Sequence, residues 1–177
     1  SVGPWTDEVG LQLDPSWQKK LRPTKGVHLV FSRKKIPVDR AVVMGVESRI
    51  IFVIPRHEMV IVGTTDTDFS GDPSHVNTEV EDVSYLLEAL ARYFPYLEVS
   101  GEAILSSYSG VRPLVQDGSS STGKTSREHQ IFSYGPNMSF VAGGKYTTYR
   151  KISQEAVDHI LEKMDFDIRM SFKPSDT

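Results

Sequence analysis

Two glycines, a lysine and two threonines stand close together near the end of this sequence, and their chemistry suits the binding of an anion. They are Gly143, Gly144, Lys145, Thr147 and Thr148. Apolar residues before the glycines, and apolar residues at helical spacing after them, predict a strand, a glycine turn and a helix. A helix start presents unpaired N–H groups and a positive dipole end, Lys145 adds a charge, and either threonine could cap the helix. A phosphate, a carboxylate or an electron-rich ring edge could bind here, although a capped strand beside a solvated lysine stays open.

An arginine in a constrained backbone is the second feature with chemical potential. Arg112 lies between Gly110 and Pro113 in a β-rich segment that runs from residue 103 to residue 115. The glycine and the proline predict a long strand that is broken at both residues. A backbone held in this way would orient the guanidinium fork, which suits bidentate capture of a carboxylate or a phosphate.

A histidine lies inside a run of β-branched and aromatic residues, from residue 26 to residue 31, that predicts a buried strand. Two interpretations of His28 stay open. It could be a satisfied core residue, or burial could hold it neutral and available for acid–base chemistry.

Carboxylates and hydroxyls crowd the loop from residue 63 to residue 73, and part of it matches the opening of a calcium-binding EF-hand loop. Asp66, Asp68 and Gly71 fall at two oxygen positions and at the glycine position. The match then fails, because Asn77 stands where a glutamate is required, Pro73 interrupts the loop and no helix precedes it. We therefore expect no metal site.

Residues 118–125 satisfy the P-loop pattern letter for letter, with Lys124 as its lysine. A P-loop that cradles phosphate leaves a strand and enters a helix, whereas the residues that follow here alternate like a strand. We interpret the segment as a flexible glycine- and serine-rich loop that joins two strands. A nucleotide binder that uses this loop is kept as an alternative function of another class.

The composition is that of a globular chain with one good core or two small lobes. Its 177 residues carry a formal net charge of -3, which gives no reason to expect a nucleic-acid partner. The lack of cysteine excludes disulfides, iron–sulfur clusters and thiol nucleophiles within these residues. No apolar run is long enough to span a bilayer and no leader is recognisable, so we expect a cytoplasmic protein.

Short β-rich runs predict an antiparallel meander at the centre of the fold. The runs cover residues 41–46, 49–54 and 59–64, and the gaps between them leave room only for hairpin turns. Two later strands are predicted at residues 130–134 and 139–142.

Helices are predicted to back this sheet. They lie at residues 6–13, from a capping box at residues 78–81 to a stop at Pro95, and from the glycine turn to about residue 164. Pro15 and Pro23 bracket a polar connector. The predicted fold class is therefore α+β, with a mostly antiparallel sheet backed by helices.

Six blocks of this sequence, taken together and in order, resemble the FAD-dependent glycerol-3-phosphate dehydrogenases. The blocks are GPWTD (3–7), KGVH (25–28), GTTDTD (63–68), YSGVRPL (108–114), SREH (126–129) and GGKYTTYR (143–150). The resemblance implies a flavin-binding α/β domain interleaved with a substrate domain whose antiparallel sheet is backed by helices. It also implies oxidation of sn-glycerol 3-phosphate to dihydroxyacetone phosphate, with a hydride passing to FAD and electrons onward to a membrane quinone. Peripheral attachment of the parent enzyme to the inner face of the cell membrane is implied as well.

The resemblance assigns substrate and cofactor contacts to positions that match its blocks. Arg112 and Arg127 would hold the substrate phosphate, and Lys145 would lie near the reacting hydroxyl and the flavin. Two arginines suit a phosphate dianion, although a flavin oxidase whose Arg112 grips the carboxylate of an amino or hydroxy acid is an alternative. The implied cofactor contacts are Gly143, Gly144, Thr147, Thr148 and Trp5.

The resemblance also implies a catalytic base. His28 is the candidate, because alcohol oxidation by hydride loss is assisted by a base with a pKa near neutrality. Thr65 or Asp66 would support His28 through hydrogen bonds. Lys145 remains the alternative base.

One departure from the family is as informative as the match. The family begins with a GxGxxG turn that binds the ADP half of FAD, and these residues contain no such motif. We therefore expect a fragment that retains no FAD and is inactive alone. Its expected parts are the end of a flavin-domain segment and a connector (1–24), a substrate-binding domain (25–135), a strand–glycine–helix segment that returns to the flavin domain (136–164), and a loose tail (165–177).

Overall fold

The computed structural model describes residues 2–47, 49–116 and 128–164, which belong to two compact units. One, called here the sheet unit, comprises residues 22–47 and 49–112. The other, the hairpin unit, comprises residues 2–21, 113–116 and 128–164. The hairpin unit thus takes residues 128–135, which the sequence assigns to the substrate-binding domain.

Within the described residues, one sheet contains six strands. They are β1 (Leu21–Ser32), β2 (Val42–Val46), β3 (Arg49–Arg56), β4 (Met59–Gly63), β5 (Thr67–Asp68) and β6 (Ile104–Val115). Strands β2, β3, β4 and β1 follow one another across the sheet, and β5 and β6 also pair with β1. The antiparallel ladders set Val43 opposite Phe52, and Phe52 opposite Gly63. The predicted meander and the mostly antiparallel α+β class are confirmed.

Alternation along β1 decides which of its side chains face the core. Val27, Leu29 and Phe31 are fully buried and pack in one cluster with Leu86 of α2 (Val80–Tyr93). Burying side chains of this size contributes about 1.5–3 kcal/mol each. Because successive side chains of a strand point to opposite faces, His28 lies on the face away from this cluster.

Helix α2 begins one residue later than the sequence predicts. The expected capping box used Thr78 and Glu81, whereas the observed one uses Glu79 and Asp82. The carboxylate of Asp82 accepts a hydrogen bond from the N–H of Glu79 at 3.0 Å and lies 2.6 Å from Nζ of Lys25 on β1. This largely buried ion pair anchors the first turn of α2 to the sheet, which explains the shift.

One strand is longer than predicted and another is unbroken. β1 begins at Leu21, so the polar connector ends before Pro23, and β6 continues through Gly110 and Pro113 without a break. The expected break was wrong because a proline in an extended strand removes only one backbone donor, and pairing with β1 supports the rest of β6.

The hairpin unit is organised around one carboxylate and one indole. Asp7 of α1 (Thr6–Leu13) accepts hydrogen bonds from Nε1 of Trp17 at 2.9 Å and from the N–H groups of Lys20 and Leu21 at 2.8 and 3.0 Å. The indole ring packs 5.0 Å from the ring of Phe140, between centroids, in the antiparallel pair β7 (His129–Tyr134) and β8 (Met138–Gly143). The predicted first helix and the last two strands are therefore confirmed. Among the helices of the described residues, none is long and apolar enough to cross a membrane.

Candidate functional site

The guanidinium of Arg112 lies in a frame of oxygen acceptors. Its Nη2 donates to Oγ1 of Thr64 at 2.8 Å and to the carbonyl of Thr65 at 3.2 Å, and its Nη1 lies 3.3 Å from Oδ1 of Asp66. A Cβ added to Gly26 would overlap the guanidinium, so the glycine makes room for it. The Arg112 side chain is 25% exposed. Its charged fork is thus oriented by the protein and still reaches the surface.

The acceptors of this frame lie on a short segment that follows β4 and is tied to β1. Oγ1 of Thr65 accepts a hydrogen bond from the N–H of Val27 at 2.9 Å, and the N–H of Thr65 donates to the carbonyl of Val27 at 3.3 Å. The peptide bond between Gly63 and Thr64 is cis. Thr65 is only 1% exposed, so the structure gives it a supporting position under Arg112, and a contact between Thr65 and substrate stays a prediction.

The imidazole of His28 packs against the ring of Tyr108 and the backbone of Gly63. Its centroid lies 4.8 Å from that of the Tyr108 ring, with 11° between the two planes. Gly63 faces His28 across the β1–β4 ladder, and a Cβ there would overlap the imidazole. In the described part of the chain, no hydrogen bond reaches a ring nitrogen of His28, so ring packing replaces the support expected from Thr65 or Asp66.

The surroundings of His28 favour its neutral form. Burial first, and the positive charge of Arg112 second, lower the pKa of His28 below its ordinary value of 6.5. The ring is therefore neutral at pH 7, which is the form that accepts a proton. Since Arg112 rests on Gly26 and Tyr108 stacks on His28, a neutral imidazole and an oriented guanidinium share one face of the sheet.

Two carboxylates of the acidic loop, Asp66 and Asp68, contact arginines. Both carboxylate oxygens of Asp68 accept from Arg22, at 2.8 and 3.0 Å, and this hydrogen bonding lowers the pKa of Asp68. Asp66 lies against another arginine, with its Oδ1 3.3 Å from Nη1 of Arg112. In residues 2–47, 49–116 and 128–164, no group of three or more His, Cys, Asp or Glu side chains could hold a metal ion.

The strand, glycine turn and helix predicted around Lys145 are confirmed in the hairpin unit. β8 ends at Gly143, a 3-10 turn covers Tyr146–Thr148, and α3 spans Tyr149–Leu161. Thr148 directly precedes α3, yet its hydroxyl donates to the carbonyl of Lys145 at 3.0 Å and accepts from the N–H of Lys145 at 3.4 Å. The threonine therefore closes the turn and does not cap α3, while Thr147 lies exposed within the turn.

Both glycines of this turn are required by the backbone and by close packing. Gly143 and Gly144 have φ angles of +75° and +87°, which side chains other than glycine rarely adopt. A Cβ at Gly143 would lie 2.7 Å from the carbonyl oxygen of Glu128, and one at Gly144 would lie 2.6 Å from Cδ1 of Ile152. The turn is thus fixed against β7 and α3.

A cleft of about 240 Å³ opens beside this turn. It is lined by Glu128, His129, Gly144, Lys145, Thr148 and Lys151. Two lysines, a hydroxyl and a helix start suit an anionic or electron-rich part of a ligand. Pockets that enclose a whole drug-sized molecule measure about 300–1,000 Å³, so the cleft has room for only part of such a ligand.

Glu155 of α3 has two side-chain partners beside the cleft. Nε2 of His129 on β7 lies 2.7 Å from Oε2 of Glu155 on α3, and Lys151 lies 3.5 Å from the other oxygen of Glu155. His129 also faces Gly143 across the hairpin. The contact between His129 and Glu155 therefore holds α3 against β7, the strand that pairs with β8 beside the glycine turn.

The remaining predicted site residues fall in different places. Trp5 lies in a 3-10 turn, Gly3–Trp5, of the hairpin unit and is 38% exposed. Arg127, the P-loop pattern at residues 118–125 and the tail at residues 165–177 lie outside the described residues. The sheet unit thus holds His28, Thr65, Asp66 and Arg112, and the hairpin unit holds Trp5 and the glycine turn with Lys145.

Sequence reasoning missed several residues of the site. Tyr108 and Arg112 are four positions apart on one strand, so a strict alternation count along β6 would have placed Tyr108 on the face of the arginine. Gly26 lies in the KGVH block, but nothing in the sequence shows which side chain rests on it. The pair of His129 and Glu155 joins residues far apart in the chain and gives no local signal.

Comparisons with known proteins show the family of this chain. The family model described as "FAD dependent oxidoreductase" matches residues 1–150. The chain belongs to this family. The predicted kinship with a flavin oxidoreductase is therefore confirmed.

Individual relatives of this FAD-dependent oxidoreductase chain have more specific names than the family model. Aerobic glycerol-3-phosphate dehydrogenases of Staphylococcus aureus strains USA300 and NCTC 8325 are each 37% identical to it over 100% of its length. The crystal structure of glycerol-3-phosphate dehydrogenase from Bacillus halodurans, complexed with FAD, is 33% identical with a TM-score of 0.75 over 90% of the chain. The chain spans 32% of the Staphylococcus aureus relatives and 30% of the Bacillus halodurans chain. The predicted resemblance to this group of dehydrogenases is confirmed.

Proposed function

We propose that this chain carries the substrate-binding part of an enzyme that oxidises sn-glycerol 3-phosphate to dihydroxyacetone phosphate with FAD as its cofactor. The observation that carries the proposal is the sheet face on which the oriented guanidinium of Arg112 lies beside the neutral imidazole of His28. The names of the Staphylococcus aureus and Bacillus halodurans relatives support the choice of reaction.

Arg112 would bind the phosphate of the substrate. A guanidinium is always charged and offers two parallel N–H groups to a phosphate. Thr64 and Asp66 already orient the fork, so less side-chain freedom is lost when the ligand binds. Arg127, which stands in the SREH block, is proposed as the second cation for the phosphate dianion.

His28 would accept the proton of the reacting hydroxyl. As the carbon–hydrogen bond breaks, the hydride leaves with its electron pair, the hydroxyl proton moves to the imidazole, and the carbon–oxygen bond becomes the carbonyl of the product. FAD, when bound, supplies the acceptor for that hydride. The lowered pKa of His28 keeps the imidazole deprotonated at the start of this step. Lys145 is kept as the alternative base.

The glycine turn of the hairpin unit would hold one edge of the flavin. Lys145, the hydroxyl of Thr147 and the N–H groups of the helix start form a donor set that suits the electron-rich pyrimidine edge. Thr148, whose hydroxyl donates to the carbonyl of Lys145, would hold the turn in shape beside the cofactor. Gly143 and Gly144 would allow a ligand to approach the backbone closely. Trp5 is proposed as a further contact of the cofactor.

The finer properties of the parent enzyme are part of the proposal. The 177-residue chain alone would retain no FAD and show no turnover, because its sequence holds no GxGxxG turn. The parent would be a cytoplasmic enzyme attached peripherally to the inner face of the membrane, where it passes electrons to a quinone. Visible flavin absorbance of the purified chain, and quinone reduction by the parent with and without vesicles, test these statements.

A nuclear magnetic resonance titration of the labelled chain tests substrate binding. We expect glycerol 3-phosphate, and not glycerol, to shift the Nε–H signal of Arg112 and the amides of Thr64 and Asp66. The shifts should vanish in Arg112→Ala and persist in Arg92→Ala, which removes an exposed arginine of α2.

The same titration with other ligands can contradict the proposal. Shifts confined to residues 118–125 with ATP and Mg²⁺ would establish the nucleotide-binding alternative and overturn the proposal. An equal response to lactate and glycerol 3-phosphate would favour an oxidase of hydroxy acids. Oxidation of glycerol 3-phosphate by the full-length parent, measured with an artificial electron acceptor, tests the reaction itself.

A further inference from the structure

The imidazole of His28 has an unusual means of orientation. Nothing in the described residues donates to or accepts from its ring nitrogens, so no hydrogen bond selects the plane of the ring. The torsion that sets this plane has broad preferences in histidine. Packing must therefore set the direction in which the ring nitrogens point.

Two neighbours supply that packing. The backbone of Gly63 lies so close that a Cβ there would overlap the imidazole, and the ring of Tyr108 lies 4.8 Å away between centroids. The 11° angle between the planes makes the pair a stack, whose energy depends on the relative orientation of the two rings. Both contacts change when the imidazole rotates about its Cβ–Cγ bond, and the stack is the one that a side-chain substitution can remove.

Tyr108 contributes little else to the fold. Its side chain is 50% exposed, and it is not a member of the buried cluster around Leu29 and Leu86. It shares β6 with Arg112, four residues further on, so one strand carries both the anion-binding fork and the ring that touches the imidazole. A surface aromatic on the site face, stacked on the proposed base, has a position that packing of the core does not require.

We infer that Tyr108 is a positioning residue, whose ring fixes the plane of the His28 imidazole so that a nitrogen faces the substrate hydroxyl. The inference rests on the proposed function, because it presumes that His28 accepts a proton there. Proton transfer demands hydrogen-bond geometry between base and substrate, and a rotated ring loses it. The phenol oxygen has no part in this task, so phenylalanine should replace the tyrosine.

Spectroscopy of the 177-residue chain tests the stack without any cofactor. The ring protons of His28 should show an upfield ring-current shift in the native chain and in Tyr108→Phe, and should lose it in Tyr108→Leu. Tyr96→Leu is the matched control, because Tyr96 is 74% exposed and packs on Phe94 instead. Equal His28 shifts in the native chain and in Tyr108→Leu would overturn the inference.

Kinetics of the full-length parent test the consequence. Tyr108→Leu should lower kcat for glycerol 3-phosphate about tenfold while KM changes little, since a misaligned base slows the chemical step. Tyr108→Phe should restore kcat, and Tyr96→Leu should leave it unchanged.

The outcomes separate the inference from the proposed function. A leucine variant with native kcat, or a phenylalanine variant as slow as leucine, would overturn the role of the ring. A parent that does not oxidise glycerol 3-phosphate would instead overturn the proposed function, while the ring-current shifts would still show whether Tyr108 orients His28. Circular dichroism of each variant identifies a general loss of folding. If Tyr108→Leu does not fold, the ring-current shift and kcat of Tyr108→Phe decide whether the ring alone is sufficient.

Discussion

Asp66 and Arg112 form an ion pair in which a nearly buried carboxylate faces a partly exposed guanidinium. The two side chains are 7% and 25% exposed, and Oδ1 of Asp66 lies 3.3 Å from Nη1 of Arg112. The aspartate is thus an internal counter-ion of the arginine, and the proposed phosphate would be a second anion on the same guanidinium. Removing the arginine has two separable effects, because it deprives the substrate of a partner and removes one ion pair from a nearly buried carboxylate.

We expect Arg112→Ala to weaken both binding and folding. Loss of a charge-assisted hydrogen-bond partner costs about 1.5–3 kcal/mol, so KM for glycerol 3-phosphate in the parent should rise about tenfold to a hundredfold. The free energy of unfolding of the chain, measured with urea, should fall as well, because Asp66 stays buried.

A double variant separates the two effects. Asp66→Asn combined with Arg112→Ala removes the buried charge, so it should recover a large part of the lost unfolding free energy without restoring KM. A recovery of KM in the double variant would contradict the assignment of Arg112 to the phosphate.

The second prediction concerns the pH dependence of stability. Burial and the charge of Arg112 lower the pKa of folded His28 below the unfolded value of 6.5. Between these two pKa values the unfolded chain binds more protons, so the unfolding free energy should rise with pH in this window. Below the folded pKa the full reduction of the unfolding free energy is present, and above pH 6.5 this reduction is absent.

The assigned imidazole signals of His28 provide the measurement. Their titration midpoint should lie below 6.5 and move upward in Arg112→Ala, because a repelling charge has been removed. Urea unfolding of His28→Gln should show a weaker pH dependence through the same window. A midpoint above 6.5 would show that neither burial nor the arginine acts as described.

Elements whose signal is local were predictable from the sequence. The meander follows from three apolar runs separated by short turns, and the glycine turn follows from two glycines between a strand pattern and a helix pattern. The start of α2 was misplaced by one residue because the ion pair between Lys25 and Asp82, which joins distant parts of the chain, overrides the local capping preference.

The sequence identified which residues could belong to the site, but it did not show which of them are in contact. Arg112 and His28 were singled out for their chemistry, but their partners depend on strand register. Asp66 pairs with the arginine and Tyr108 stacks on the histidine only because β4 and β6 both pair with β1. A sequence without register cannot show which side chain rests on which glycine.

The third prediction concerns the glycine turn. Gly143→Ala should destabilise the hairpin unit, because an L-residue at φ +75° costs about 1–2 kcal/mol and its Cβ would also displace the carbonyl of Glu128. Gly135→Ala is the matched control, since Gly135 has φ +61° but its Cβ would meet nothing within 4 Å. Thermal unfolding should therefore show a larger loss for Gly143→Ala than for Gly135→Ala, and equal losses would contradict the close packing of the turn.

The fourth prediction uses a glycine beside which the described residues leave open space. Gly110 lies between Tyr108 and Arg112 on β6, so the alternation of the strand places it on their face. A Cβ at Gly26 or Gly63 would overlap a protein side chain, whereas a Cβ at Gly110 would meet nothing within 4 Å. A glycine inside a strand often marks a place where a ligand approaches the backbone.

Substitution of Gly110 should therefore impair substrate binding and spare the fold. Alanine at this strand position should leave the unfolding free energy of the chain unchanged or raise it by about 0.5–1 kcal/mol. In the parent, KM for glycerol 3-phosphate should rise with side-chain size, modestly for Gly110→Ala and about tenfold for Gly110→Val, because a ligand lying between His28 and Arg112 would be displaced. Gly101→Ala is the control, since its Cβ also meets nothing within 4 Å and it lies outside β6. A stable Gly110→Val variant with native KM would show that the substrate does not cross this part of the sheet, and would require a different path between the arginine and the histidine.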